Sequence, residues 1–198
     1  MQNQRFRVVL TGGPGGGKTT AADLFRREIG DDVVIVPEAA TTLFLGGFPR
    51  TDDPLARRAV QTAIYHVQRN LEDIQSALYP ERMLLCDRGT VDGAAYWPED
   101  SAQDYFTSLG TTHEAELARY DAVLFFESAA LGDMSIEGGN PTRIEDNRQA
   151  RALDGCLRTL WSAHPRFVLV PHTTSFFKKI TYALAALEGL VGEWRRRT

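Results

Sequence analysis

The chain has 198 residues, 43% of them hydrophobic and 24% charged, with a formal net charge of −4. That is enough for one α/β domain with its own core and short for two, and the acidic balance argues against a surface that coats nucleic acid. Only two cysteines, no secretory pattern at the start and no apolar run long enough to span a bilayer predict a reduced, cytoplasmic protein.

In chain order, Phe6-Arg7-Val8-Val9-Leu10 predicts a strand, buried from Val8 onward. It runs into Gly12-Gly13-Pro14-Gly15-Gly16-Gly17-Lys18-Thr19, which fits the P-loop pattern G-x-x-x-x-G-K-[ST] without a mismatch. The pattern exists because backbone N–H groups must converge on phosphate oxygens, where a Cβ would block the approach or forbid the dihedrals. Gly13 through Thr20 are thus assigned to the nucleotide: Lys18 as a point charge on the β- and γ-phosphates, Thr19 as a hydroxyl for Mg²⁺, and the first N–H groups of the next helix as anion donors. That helix carries Ala21, Leu24, Phe25 and Ile29 at helical spacing and closes at Gly30.

Val33-Val34-Ile35-Val36 predicts a short buried parallel strand, and Glu38 follows it at the carboxyl end, where open parallel sheets bind their ligands. Residues 41–53 read as a mobile loop carrying Arg50. Asp53-Pro54 then opens a long helix to about Tyr79, with a core stripe of Val60, Ile64, Val67, Leu71, Ile74 and Leu78. About 100° round the same helix, Arg58, Gln61, Tyr65 and Gln68 form a polar stripe. Such a face usually meets solvent; this one can hydrogen-bond and stack, and it is assigned to an acceptor pocket. Met83-Leu84-Leu85-Cys86 is a third strand ending in Asp87-Arg88-Gly89, an acidic tip of the kind that serves metal and substrate downstream of a P-loop.

Residues 90–119 predict an aromatic-packed loop at Tyr96-Trp97-Pro98 and one or two short helices from Ser101. A fourth strand spans Asp121 to Glu127, and the stretch from Ser128 to Thr142, rich in glycine and small residues, is expected to be poorly ordered. A helix from about Glu145 to Ala163 follows, with Ala150, Leu153, Leu157 and Leu160 facing the core. Arg143, Arg148 and Arg151 at its entry read either as partners of Glu145, Asp146 and Asp154 or as a lid that meets the transferring phosphoryl group. Phe167 to Val170 gives a fifth strand, then the turn Pro171-His172-Thr173-Thr174 and a helix with Phe177, Ile180, Leu184, Leu187 and Val191. Cys86 and Cys156 read as core or boundary thiols.

The succession of elements, with "VPEAAT", "CDRG", "YDAVLFFE" and "NPTRIEDNRQARALDGCLRTLW", resembles the nucleoside and nucleotide kinase branch of P-loop proteins. It is most similar to small ATP-binding domains related to the ribosylnicotinamide kinase part of NadR, often called AAA-family ATPase domains; thymidylate and deoxynucleoside kinases are more distant. The resemblance implies a three-layer α/β fold with a five-stranded parallel sheet in the order 2-3-1-4-5. It also implies Glu38 at the acceptor hydroxyl, Asp87 and Arg88 at metal and substrate, Arg143, Arg148 and Arg151 as lid arginines, and His172-Thr173 near the adenine. The third-strand signature departs from the family's Glu-Arg-Ser, and residues 41–53 match no known acceptor loop.

The expectation is a single domain over 1–198, with an acceptor side at about 41–79 and a lid at about 128–151. It would move the γ-phosphoryl group of Mg·ATP to a hydroxyl of a small, nucleoside-like metabolite, with Glu38 favoured as base and Asp87 as the metal-associated acid, their exchange left open. A P-loop ATPase that switches a protein partner is the rival, and a regulatory module that has lost catalysis is opposed by the intact Lys18, Thr19, Glu38 and Asp87. GTP is disfavoured as donor by the lack of an Asn/Thr-Lys-x-Asp motif, and a polynucleotide acceptor by the acidic balance.

Overall fold

The computed structural model describes residues 5–98, 102–132 and 147–197. Five strands, β1 (Arg7–Thr11), β2 (Val33–Val36), β3 (Met83–Asp87), β4 (Ala122–Phe126) and β5 (Phe167–Val170), form one sheet in the order β2-β3-β1-β4-β5. Every pairing is parallel, with Val9 level with Cys86 on one side and with Val123 on the other. The helices are α1 (Lys18–Ile29), α2 (Ala39–Leu45), α3 (Pro54–Leu78), α4 (Ala102–Ser108), α5 (His113–Leu117), α6 (Asn147–Trp161) and α7 (Phe176–Arg195). The expected fold class and strand order hold.

Alternation along the strands divides the core into two layers. Val8, Leu10, Leu85, Leu124 and Phe126 face Phe25 of α1 and Leu187 of α7. Val9, Leu84, Cys86, Val123 and Phe125 face Tyr65 of α3 and Trp161 of α6. The central strands are buried on both faces, so they read as unbroken apolar runs. β2 lies at the sheet's edge with only its end residues buried, short of the full burial expected.

Three local expectations are corrected. Residues 39–45 are helical rather than loop, because Glu38 enters in extended conformation and Ala39 packs into the core while Gly46 caps the helix; only 46–53 connect. α3 is turned about its axis: Gln61, Tyr65, Gln68 and Glu72 are buried, while Ile74 and Leu78 are 50% and 64% exposed. The polar stripe faces inward because its groups are matched. Glu72 accepts from Tyr120 Oη at 2.8 Å and Arg119 Nη2 at 2.6 Å, and Tyr65 donates to Glu116 at 2.7 Å. On α7, Phe177 is 79% exposed and Ile180, Leu187 and Val191 carry the packing.

The α6 helix begins among the described residues at Asn147, so the expected start at Glu145, Arg143 and most of the expected poorly ordered stretch lie outside the described residues. Among the described residues no helix is long and apolar enough to cross a membrane.

Candidate active site

The carboxyl ends of the strands open into a cavity of about 1080 Å³. Its floor is the P-loop. Gly12 turns at φ 126, where a Cβ would stand 2.1 Å from the Phe126 carbonyl oxygen, so only glycine lets the loop lie against the end of β4. Gly17, at φ 85, caps α1, and Lys18 is the helix's first residue. Lys18 Nζ donates to the Gly12 and Gly13 carbonyls at 2.8 and 2.9 Å, two of the three donors of an ammonium. Burial, with the Arg88 charge, lowers its pKa to about 7 against the pull of Asp87 and Glu38.

Beside it, Thr19 Oγ1 donates to Asp87 Oδ2 at 2.8 Å. Asp87 Oδ1 is buried and has no hydrogen-bond partner. Burial, with the Glu38 charge, raises the Asp87 pKa even though Thr19 and Lys18 oppose it. A buried, unpaired carboxylate oxygen next to a threonine hydroxyl is uncompensated as it stands and suits a hard cation that takes one carboxylate and completes its shell with phosphate and water. Among the described residues no group of three or more His, Cys, Asp or Glu is placed to hold a metal ion.

Across the cavity Arg88 follows β3 at φ 70, a left-handed conformation unusual for a side chain of this size. The bend sends its guanidinium between two acids: Nε donates to Glu38 Oε1 at 2.5 Å and Nη1 to Asp92 Oδ2 at 2.7 Å. Glu38 also accepts from Thr41 Oγ1 at 2.5 Å. Burial pushes the Glu38 pKa up, but Arg88, the Thr41 hydrogen bond and Lys18 together hold it below the usual glutamate value. Asp92 is fixed in turn by Thr11 Oγ1 at 2.8 Å and Trp161 Nε1 at 2.7 Å.

The remaining wall comes from α3 and its approach. Gln61, Tyr65 and Gln68 line the cavity, as do Arg50 and Arg57. Gln68 accepts from the Ala39 N–H at 3.4 Å, and the Arg50 guanidinium lies 4.1 Å over the Phe44 ring.

A family model for an AAA domain matches residues 7–179. The chain belongs to this AAA domain family. Among solved structures, the NadR protein in complex with NR superposes on this AAA domain with a TM-score of 0.70 at 14% identity, over 96% of the chain and 52% of NadR. The chain thus spans about half of NadR. Deoxyadenosine kinase from M. mycoides with bound dATP gives 0.62 at 13% identity, over 93% of this chain and 100% of that one. Thymidylate kinase from Candida albicans gives 0.63 at 15%, over 98% and 94%. At these identities the likeness shows the fold, and the resemblance to P-loop nucleotide kinases holds at that level. A search of curated protein sequences finds no match.

The predicted site residues of this AAA domain fall into two groups. Pro14 to Thr20, Glu38, Arg50, Gln61, Tyr65, Gln68, Asp87 and Arg88 line the one cavity. Others stand apart from it. Gly13 turns its N–H away, to Asp154; Arg58 lies 5.7 Å over the Trp97 ring, beside a separate small hollow. Arg148 is exposed on α6 without lining the cavity, and Arg151 Nε donates to the Ala130 carbonyl at 2.7 Å. α6 instead presents Gln149, Ala152, Leu153 and Cys156 to the cavity, and Arg148 and Arg151 of the same turns lie off that face. Cys156 is accordingly exposed, whereas Cys86 is in the core. His172 and Thr173 are absent from the cavity wall: the His172 N–H donates to Glu127 and the Thr173 hydroxyl to the Ser175 carbonyl.

Asp92 and Trp161 make contacts at the site that sequence reading passed over, and Asp154, read there only as a partner for arginines, is buried against the P-loop. Asp92 had a signal, four residues after Arg88, the spacing of one helical turn. Asp154 and Trp161 had none, since their partners are remote in the chain.

Proposed function

We propose that this chain is an ATP-dependent kinase that moves the γ-phosphoryl group of Mg·ATP to a hydroxyl of a small, nucleoside-like acceptor. The observation that carries the reading is the unpartnered Asp87 Oδ1 beside Thr19, in the same cavity as Lys18 and the Glu38–Arg88 pair. Thr19 and Asp87 would hold Mg²⁺, which neutralises charge on the phosphate oxygens when bound. Lys18 would donate to the β- and γ-phosphates, and the phosphate charge would restore the proton affinity that burial takes from it.

Acceptor chemistry is assigned to the opposite wall. Glu38 stays ionised and would accept a hydrogen bond from the attacking hydroxyl, orienting it in line and taking its proton as the new O–P bond forms and the γ-phosphorus bond to ADP breaks; its depressed pKa makes that proton transfer late, so it orients more than it activates. That suffices for a loose phosphoryl transition state, which asks mainly for position and charge neutralisation. Arg88 fixes Glu38 and presents its charge to the same space. Tyr65 and the Gln61 amide give this wall stacking and hydrogen-bonding groups suited to a flat heteroaromatic ring. Arg148 and Arg151 are candidates for a closed state, Arg143 keeps its expected lid role, and His172-Thr173 its expected place at the adenine end.

A stand-alone ATPase switch would use the same phosphate floor. The polar acceptor wall favours the kinase. The test is ATP consumption measured against nucleosides, mononucleotides, vitamins and sugars, with Lys18→Ala as control. Turnover that rises with one acceptor class and vanishes in the variant is expected; acceptor-independent hydrolysis alone would overturn the reading in favour of the switch.

A further inference from the structure

The α6 helix touches both halves of the cavity from behind. Asp154 is 2% exposed, and its Oδ1 accepts from the Gly13 N–H and the Ser128 N–H, each at 2.9 Å. A Cβ on Gly13 would come within 2.5 Å of that oxygen, so the P-loop and the helix are packed to contact. Ser128 closes the ring by donating to the Pro14 carbonyl at 2.5 Å. Two turns further along α6, Trp161 Nε1 donates to Asp92 at 2.7 Å, and Asp92 holds Arg88, which holds Glu38. Trp161 is fully buried, and a Cβ on Gly89, next to Arg88, would lie 2.8 Å from its ring. The two contacts share one face of a single rigid element, with Leu157, also fully buried, between them.

We propose that Asp154 and Trp161 are positioning residues that set the phosphate floor and the Arg88–Glu38 pair in register through one helix. Neither lines the cavity. Asp154 acts by satisfying two backbone donors that otherwise face a buried void, which fixes the path of the loop before Pro14. Trp161 acts by occupying one Asp92 oxygen, so that the other is aimed at Arg88. Both ends are packed to contact, so displacement of α6 as a whole moves donor and acceptor groups together, whereas loss of one contact frees only the group it held. This role rests on the kinase reading.

The test combines MgATP calorimetry with the NMR signal of the Arg88 Nε–H, identified by its loss in Arg88→Lys. Asp154→Ala should weaken MgATP binding about tenfold, with Asp154→Asn, which keeps an acceptor oxygen, restoring it to within about threefold. Asp154→Leu carries the same comparison if the alanine variant does not fold. Trp161→Phe, which keeps an aromatic side chain and removes the donor, should shift the Arg88 Nε–H signal, while Asp154→Ala leaves that signal in place. Leu157→Val, a core change on the same face, should do neither. MgATP binding unchanged in Asp154→Ala, an unmoved Arg88 signal in Trp161→Phe, or both effects reproduced by Leu157→Val would overturn the proposal. A parent protein that binds no MgATP overturns the kinase reading instead, and the Arg88 signal then still decides the acceptor-side half.

Discussion

Lys18 and Asp87 show how burial prepares charged groups for ligands of opposite sign. Both are strained toward neutrality by desolvation, and each keeps one hydrogen-bonding capacity open to the cavity. Asp87→Asn keeps a hydrogen bond to Thr19 within reach but removes the charge. It should raise the Mg²⁺ concentration needed for half-maximal ATP turnover and cut the maximal rate about a hundredfold; an unchanged Mg²⁺ titration would remove Asp87 from the metal. Gly12→Ala meets both an unfavourable φ and the Phe126 carbonyl. It should destabilise the fold by about 2–4 kcal/mol in denaturant titration. Lys179 gives a pH signature. Its Nζ donates to the Glu127 carbonyl at 2.6 Å, and burial lowers its pKa from 10.5 to about 8, with Asp154 and Glu127 opposing. Between pH 8 and 10.5 the unfolded chain holds a proton that the folded chain has lost, so this group makes stability rise with pH, by at most about 3 kcal/mol. Denaturant midpoints for the parent and Lys179→Met across pH 7 to 10 should diverge accordingly; parallel curves would contradict it.

At the scale of elements, α3 separates what periodicity reveals from what it does not. A run of Val60, Ile64, Val67, Leu71, Ile74 and Leu78 is an apolar stripe by any count, yet the helix buries the neighbouring polar one. Part of the stripe does pack, since Val60 is buried and Leu71 lies against the core, but Ile74 and Leu78 at its end are exposed. The inward polar face was decided by Glu116, Arg119 and Tyr120, which meet Tyr65 and Glu72 only in the folded chain. Leu78→Lys should therefore change stability by no more than about 0.5 kcal/mol, whereas Glu72→Ala, which leaves the half-buried Arg119 with Glu116 alone and removes an acceptor from the buried Tyr120 hydroxyl, should cost about 3–5 kcal/mol. Thermal or denaturant unfolding checks both, and the reverse order would restore the apolar stripe to the core.

Over the whole molecule, the strands were legible because a parallel sheet buried on both faces must be written in unbroken apolar runs, whereas their order followed from the resemblance to P-loop kinases. The chemical groups at strand tips were legible for the same reason: Glu38, Asp87 and Arg88 sit where a strand ends and a cavity begins. Groups that act through tertiary contact were not, and Asp92, Asp154 and Trp161 are all of that kind. The arginines on α6 do not line the cavity in this conformation, because their helical phase depends on how the helix meets the P-loop at Asp154. On the proposed reading, the two walls of the cavity serve a donor and an acceptor. Phosphorus-31 NMR of the protein with Mg·ATP and a nucleoside mixture tests it most directly. A new phosphomonoester signal growing in step with ADP is predicted, and inorganic phosphate as the sole new signal beside ADP would contradict it.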